Sequence, residues 1–570
     1  MMAADRPPNV LLILTDDQGY GDLSVHGHPH LRTPNLDRLA SESVQFERFY
    51  VSPVCTPTRA SLMTGRWWPR TGVSSVTHGR ETMRLDEVTI AEALRSGGYR
   101  TGLFGKWHLG EHYPHTPNGQ GFDEFLGMLH GHINGYFDAT LDHNGKPRPT
   151  RGYVADVLTN EAIGFIERHR DRPFFCYLSY NTPHSPFQVP DEYFDAYKAM
   201  GLDDETASAL AMCANIDANV GRVLGRLSEL ELAQNTIVLF LTDNGPGTDR
   251  YNAGMRGRKG SLHEGGVRVP LFVRWPGKLA PGVVGTIADA IDVYPTLLEL
   301  CGISPPPGPP LDGRSLVPLM RGEESGWPDR MLFTQRLRAP RPALGGGAVR
   351  TQRYRLVIDA GKHELYDMIE DPSQKRDIAG EFRPVVAELR AAYERWFADV
   401  AAGSFDRPAV QVGHAQEDPV ELAAHRASFE GGVRFYAQNG FAHDWLVGWT
   451  TPADRIAWEI DVVRAGAYEV TLRYACPEDS AGSVVHIKAG ASRLLATVPP
   501  AEPQFVPLPH RVAESETTHK RVWYDTLKWA ELHAGQLDLA DGPQKLELSA
   551  QHVSSGQVMW LKGVSLRRVP

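Results

Sequence analysis

The stretch Asn9-Val10-Leu11-Leu12-Ile13-Leu14-Thr15-Asp16-Asp17 is an unbroken run of mostly branched apolar residues that stops at two carboxylates. Asn9 to Leu14 shows no polar alternation, so it reads as a strand covered on both faces, the kind found in largely parallel sheets. Further along, Thr33-Pro34-Asn35 predicts a helix start, with Thr33 as N-cap and Pro34 at the first helical position, where a missing N–H costs nothing. Tyr99 to Phe104, Phe174 to Leu178, Ile237 to Leu241 and Leu271 to Val273 are the next strand candidates, separated by amphipathic helical stretches. The alternation predicts an α/β fold built on a large, mostly parallel central sheet flanked by helices.

The pattern then changes twice. Pro305-Pro306-Pro307-Gly308-Pro309-Pro310 is expected to be a stiff loop and Gly345-Gly346-Gly347 a flexible one. Around them a small α+β subdomain is expected, with a strand at Tyr354 to Ile358, a turn at Asp371-Pro372 and a helix from Arg383 to Phe397. Later, Ile456, Trp458, Ile460 and Val462 alternate with polar neighbours, as do Tyr468, Val470, Leu472 and Tyr474, which predicts a C-terminal antiparallel β-sandwich. The expected boundaries are 1–325 for the large domain, 326–402 for the subdomain, 403–425 for a linker and 426–570 for the sandwich.

Bulk properties exclude several classes of function. The 570 residues suit two or three domains, and 42% hydrophobic and 22% charged residues are ordinary globular values. A net charge of -10 gives no basic footprint for nucleic acid. Five cysteines (Cys55, Cys176, Cys213, Cys301, Cys476), odd in number and widely spaced, argue against a disulfide framework or a thiolate metal site. No apolar run approaches the ~20 residues of a membrane helix. Val10 to Leu14 runs straight into Asp16-Asp17, so cleavage there as a signal peptide would destroy the site proposed below, and a cytoplasmic protein is expected.

The reactive-looking residues fall just after the expected strands. Asp16-Asp17 follows the first, Lys106 and His108 follow Tyr99 to Phe104, His184 follows Phe174 to Leu178, and Asp243-Asn244 follows Ile237 to Leu241. Ligands of open α/β sheets bind outside the carboxyl ends of the strands, so these four segments should meet in one crevice. Three carboxylates and an amide oxygen, with no paired-histidine motif nearby, suit a hard cation, Ca²⁺ or Mg²⁺. In Cys55-Thr56-Pro57-Thr58-Arg59 the cysteine should stand at a helix N-terminus, where backbone N–H groups favour an anion. From these residues alone Cys55 is a buried inert thiol, a nucleophile paired with histidine, or a cysteine destined for oxidation.

Taken together, the motifs at residues 8 to about 400 resemble the formylglycine-dependent sulfatases of the alkaline phosphatase superfamily. The resemblance is carried by Asp16-Asp17-Gln18-Gly19, Thr33-Pro34-Asn35-Leu36-Asp37, Cys55-Thr56-Pro57-Thr58-Arg59-Ala60, Gly105-Lys106-Trp107-His108-Leu109-Gly110, Thr182-Pro183-His184, Thr242-Asp243-Asn244-Gly245, and Gly257-Arg258-Lys259-Gly260 through Glu264 to Pro270. It implies that Cys55 is converted to formylglycine by a maturation enzyme, and that Asp16, Asp17, Asp243 and Asn244 ligate Ca²⁺ (or Mg²⁺) together with residue 55. It also implies that Arg59 holds the hydrated residue 55, Lys106 and Lys259 grip the sulfate, His108 acts as base, and His184 protonates the leaving oxygen. The implied substrate is a small-molecule or glycan sulfate ester.

Two other readings stay open at this point. The same scaffold serves phosphonate monoester or phosphodiester hydrolysis, and a glycan-binding protein with an inactive catalytic domain would place recognition in the sandwich. There Trp445, Trp449, Trp523, Tyr524 and Trp529 are candidates for stacking on sugar rings or for filling a core. Trp67 and Trp68 are expected in the core, and His130, His132 and Asn134 lie on a Gly-rich loop suited to substrate contacts.

Overall fold

A computed structural model describes residues 6–131, 133–507 and 526–570. Its main feature is an eleven-stranded sheet. In chain order the strands that matter here are β1 (Asn9–Thr15), β2 (Val44–Tyr50), β3 (Arg100–Lys106), β4 (Glu124–Met128), β5 (Thr140–His143), β6 (Lys146–Pro149), β7 (Phe174–Ser179), β8 (Thr236–Thr242), β9 (Arg268–Arg274) and β10 (Gly282–Val284). Their spatial order is β10-β2-β9-β8-β1-β7-β3-β4-β5-β6, with Ala288–Asp289 also pairing with β2. The sheet is mostly parallel, as expected, and its central strands β8, β1, β7, β3 and β4 all run the same way.

The unbroken apolar run of β1 has a physical reason. All seven of its residues are buried, between β7 and β8. Val10, Leu12 and Leu14 enter one core with Ala60, Leu62 and Trp68. Leu11 and Ile13 enter a second core, on the opposite face, with Leu36, Leu39, Ile216 and Val220. Burial of each such side chain contributes about 1.5–3 kcal/mol, so an alternating sequence could not hold this strand between two helical layers.

The expected strand at Leu271 to Val273 is part of β9, which runs antiparallel to both β8 and β2. Other expectations are corrected. Strand β2 escaped the sequence reading because Glu47-Arg48 interrupts its apolar pattern at a bulge between Phe46 and Phe49. Thr33 stands at the N-cap of helix α1 (Pro34–Ser41) without capping it by its side chain. Its hydroxyl instead donates to Asp37, and the free N–H groups of Asn35 and Leu36 are taken by Asp217, from the long helix Asp204–Glu229. Gly346 and Gly347 lie in a strand of the small subdomain, where a Cβ on Gly347 would stand 2.4 Å from the Tyr393 ring. Gly347 therefore serves close packing against the helix Arg383–Val400 rather than loop flexibility.

The C-terminal unit is a sandwich of two six-stranded sheets. It begins earlier than expected: within the stretch read as a linker, Val410–Val412 pairs with Arg455–Val462, and Val420–Ala423 pairs with Trp560–Arg568. Trp445 and Trp449 are buried, as is Trp68, and Trp67 packs edge-on against Phe333 and Trp396, so these four are packing residues. Trp529 is half-buried against Trp445; Trp523, Tyr524 and His132 lie outside the described residues. No helix among the described residues is long and apolar enough to cross a membrane.

One glycine fixes where β3 ends. Gly105 has φ 127°, and a Cβ there would lie 1.7 Å from the Ser179 carbonyl oxygen of β7. Gly105→Ala is expected to cost about 3 kcal/mol or more through overpacking and backbone strain. Urea unfolding followed by tryptophan fluorescence measures this, and an unchanged midpoint would contradict the assigned packing.

Candidate active site

The strand ends deliver the candidate residues to one crevice. Asp16 and Asp17 follow β1, and Asp243 and Asn244 follow β8; all four are buried. Cys55 opens helix α2 (Cys55–Thr64), a wholly buried helix closed by Gly65 at φ 67°. Lys106 is the last residue of β3, and His108 follows with φ 63°. His184 and Lys259 come from the loops after β7 and β8.

The ten residues form a network of opposed charges. Lys106 Nζ donates to Asp16 at 2.5 Å, and Lys259 Nζ lies 2.7 Å from an oxygen of Asp17. Arg59 donates through Nε and Nη2 to Asp243 Oδ2 at 3.1 and 2.8 Å, a charge-assisted fork. Asn244 Nδ2 donates to Asp17 Oδ1 at 2.8 Å, while His184 Nε2 stands 3.9 Å from Asp17 Oδ2. The Cys55 sulfur and a carboxylate oxygen from each of Asp16 and Asp243 all lie within 4.8 Å of one another. His108 reaches the Thr56 hydroxyl, next to Cys55, at 3.1 Å and the Val76 carbonyl at 2.9 Å.

Electrostatics show what the crevice lacks. Burial opposes the charge of Asp16, yet Lys106, His184 and Arg59 hold its pKa well below the usual carboxylate range. Burial likewise opposes Asp17, which Lys259 keeps low. Asp243 goes the other way: burial and the negative charge of Asp16 push its pKa far up, against the pull of Arg59. Burial and Lys106 push His108 well down, and burial and Lys259 bring His184 to about 4, so both imidazoles are neutral near pH 7. Asp16 Oδ1 and Asn244 Oδ1 are buried without a hydrogen-bond partner, each at a cost of about 1–3 kcal/mol. Two orphaned oxygens beside crowded carboxylates fit a hard, oxygen-seeking cation.

Comparison with known proteins decides the family. The sulfatase family profile matches residues 8–303, and the profile described as N-sulphoglucosamine sulphohydrolase, C-terminal, matches residues 258–397. Human arylsulfatase A is 33% identical over 455 residues, covering 69% of this chain and 88% of that protein. The chain belongs to the sulfatase family. Mouse steryl-sulfatase is 31% identical over 520 residues, covering 69% of this sulfatase and 81% of its own length. Among solved structures, Ps i-CgsB in complex with k-i-k-neocarrahexaose is 29% identical with a TM-score of 0.65, covering 70% of this chain and 95% of that one. The sulfatase is accordingly a sulfuric ester hydrolase, with an acidic cluster able to hold a metal.

Sequence reasoning missed Ser179 and Thr56. Ser179 Oγ accepts from Arg59 Nη1 at 2.7 Å and donates to the Lys106 carbonyl at 2.7 Å, so it locks the guanidinium against the end of β3. Its position at the end of β7 was the available signal. Of the Gly-rich loop residues, His130 is partly exposed and Asn134 is buried. A Cβ on Gly131 would meet the His108 ring at 2.7 Å, so this loop forms the wall behind His108. Ser179→Ala leaves Arg59 Nη1 with the Lys106 carbonyl as its one acceptor and should destabilise the sulfatase by about 1–3 kcal/mol. Guanidinium unfolding tests this, and a neutral effect would show that Asp243 and the Lys106 carbonyl hold Arg59 without Ser179.

Proposed function

We propose that the sulfatase hydrolyses an aryl or carbohydrate sulfate monoester using residue 55 in its oxidised, formylglycine form and one divalent cation, Ca²⁺ or alternatively Mg²⁺. The observation that carries this reading is the meeting of Cys55, at the start of α2, with Asp16, Asp243 and the orphaned oxygens of Asp16 and Asn244. Asp16, Asp17, Asp243 and Asn244 would hold the cation, which supplies Lewis-acid withdrawal of charge from an ester oxygen. A hydrated formylglycine supplies two hydroxyls, one to attack sulfur and one whose deprotonation releases sulfate and restores the aldehyde.

The chain's own residues then divide the work. Arg59, fixed by Asp243 and Ser179, holds residue 55 and offsets negative charge as it develops. Lys106 and Lys259 lie on Asp16 and Asp17 and need only turn from these carboxylates to grip the oxygens of a sulfate. His108, neutral and joined to Thr56, is placed to take the proton from the second hydroxyl at residue 55. His184, beside Asp17 on the opposite wall, donates a proton to the leaving oxygen once the sulfate anion has raised its basicity. A maturation enzyme must oxidise Cys55 before these steps.

Relatives named arylsulfatase A and N-acetylgalactosamine-6-sulfatase, and a structural neighbour crystallised with neocarrahexaose, support a phenol or sugar as the alcohol. Cys55→Ser and Cys55→Ala should each lower kcat/KM for an aryl sulfate by at least about 10³-fold, because the regenerating hydroxyl is lost. Steady-state kinetics on 4-nitrophenyl sulfate beside an aryl phosphonate monoester measures both activity and preference. Faster turnover of the phosphonate, or undiminished sulfate hydrolysis by Cys55→Ala, would contradict the proposal.

A further inference from the structure

A second cluster of ligand-type side chains lies where the sandwich meets the catalytic unit, and no step of sulfate transfer uses it. Glu111 comes from the turn after β3, His130 from the loop after β4, and His425 from the short turn Ala424–Arg426 of the sandwich. His425 Nε2 lies 3.0 and 2.8 Å from the two Glu111 oxygens, and His130 Nδ1 lies 2.8 Å from Oε1. One ligand atom from each residue falls within 4.8 Å of the others, and the two rings stand 86° apart at 5.7 Å. Glu111 and His425 are buried, whereas the side chain of His130 is 36% exposed and leaves one side open to solvent.

The geometry points to a site for a divalent transition-metal ion of the zinc class, held by Glu111, His130 and His425, that joins the sandwich to the catalytic unit. Two imidazoles and a carboxylate are a borderline-soft donor set that suits Zn²⁺, unlike the all-oxygen crevice of Asp16, Asp17, Asp243 and Asn244. Three protein ligands with one open side also match a four-coordinate ion that keeps a water.

A separate observation supports a missing positive charge here. Glu81 is 1% exposed, and neither of its oxygens has a hydrogen-bond partner. Its nearest cation, Arg426, is 3.9 Å away, and it interacts electrostatically with both Glu111 and His130. Of the other basic side chains here, Lys562 donates to the carbonyls of Ala442, His443 and Asp444 at 3.3, 2.7 and 3.1 Å, and Arg407 donates to those of His78 and Arg426 at 3.4 and 2.6 Å. A dication at the cluster would offset two buried carboxylates at once.

The location gives the site a consequence. His130 precedes Gly131, whose missing side chain makes room for the His108 ring. The sandwich is further tied down by Thr77 Oγ1 donating to the Gly440 carbonyl at 2.7 Å and by His78 meeting the His425 carbonyl at 3.0 Å. An ion at this place therefore fixes the wall behind His108 from the sandwich side.

The test uses full-length protein in calcium buffer, stripped of transition metals and then titrated with Zn²⁺ or Co²⁺. Elemental analysis after gel filtration should find one transition-metal ion per chain, and the Co²⁺ form should show the intense visible absorption of a four-coordinate site. Glu111→Gln, His425→Gln and His130→Gln, the last at a partly exposed position, should each weaken binding by more than about 100-fold, beyond the cost of losing an outer-shell partner. Asp16→Asn should keep it. Substoichiometric metal in the unaltered protein, wild-type affinity in all three glutamine variants, or loss of binding in Asp16→Asn would overturn the assignment.

Discussion

Three buried carboxylates crowded into one crevice constrain everything around them in this sulfatase. Asp16, Asp17 and Asp243 converge because they follow adjacent parallel strands, and burial leaves their mutual repulsion little screened. Each has drawn one cationic side chain onto itself: Lys106, Lys259 and Arg59. That pairing balances the site but leaves two buried oxygens unsatisfied and Asp243 strained towards protonation. On the proposed reading a divalent ion would resolve both conditions and free the lysines, so that an anionic ester would meet an excess of positive charge. Binding of cation and substrate would then be coupled through the same two lysines.

The division of labour follows from rigidity. Arg59 is anchored to Asp243, Ser179 and the Lys106 carbonyl, and so is part of the frame. Lys106 and Lys259 each touch a single carboxylate and are tied to the frame at that one point. His108 is held in a left-handed backbone conformation, backed by Gly131 and tied to Thr56. The frame rests on positions where a side chain would not fit: Gly105 against Ser179, and Gly127 against Gly105. Such close approaches let β3, β4 and β7 end at one level, which is what brings their polar residues together.

Much of this was legible in the sequence for a definite reason. A strand buried on both faces must be continuously apolar, so where β1 and β8 stop, the first polar residues mark the crevice, and Asp16, Asp17, Asp243 and Asn244 were found that way. Cys55 and Arg59 were visible from their shared segment. What stayed hidden depends on long-range packing. The bulge that lets Glu47-Arg48 sit within β2 breaks the period, and Gly346-Gly347 looks like a loop until Tyr393 is seen to lie on it. The sandwich strands at Val410–Val412 and Val420–Ala423 are too short to carry an alternation. The meeting of Glu111 and His425 joins residues 314 apart, which no local pattern can announce.

The central claim is that one cation is shared by Asp16, Asp17, Asp243 and Asn244 beside residue 55. Calorimetric titration of the chelated protein with Ca²⁺ tests it most directly, with aryl sulfate turnover followed in the same samples. The account predicts one calcium ion per chain, recovery of hydrolysis as that site fills, and loss of both in Asp243→Asn. Full hydrolysis by protein that binds no divalent cation at this crevice would contradict it.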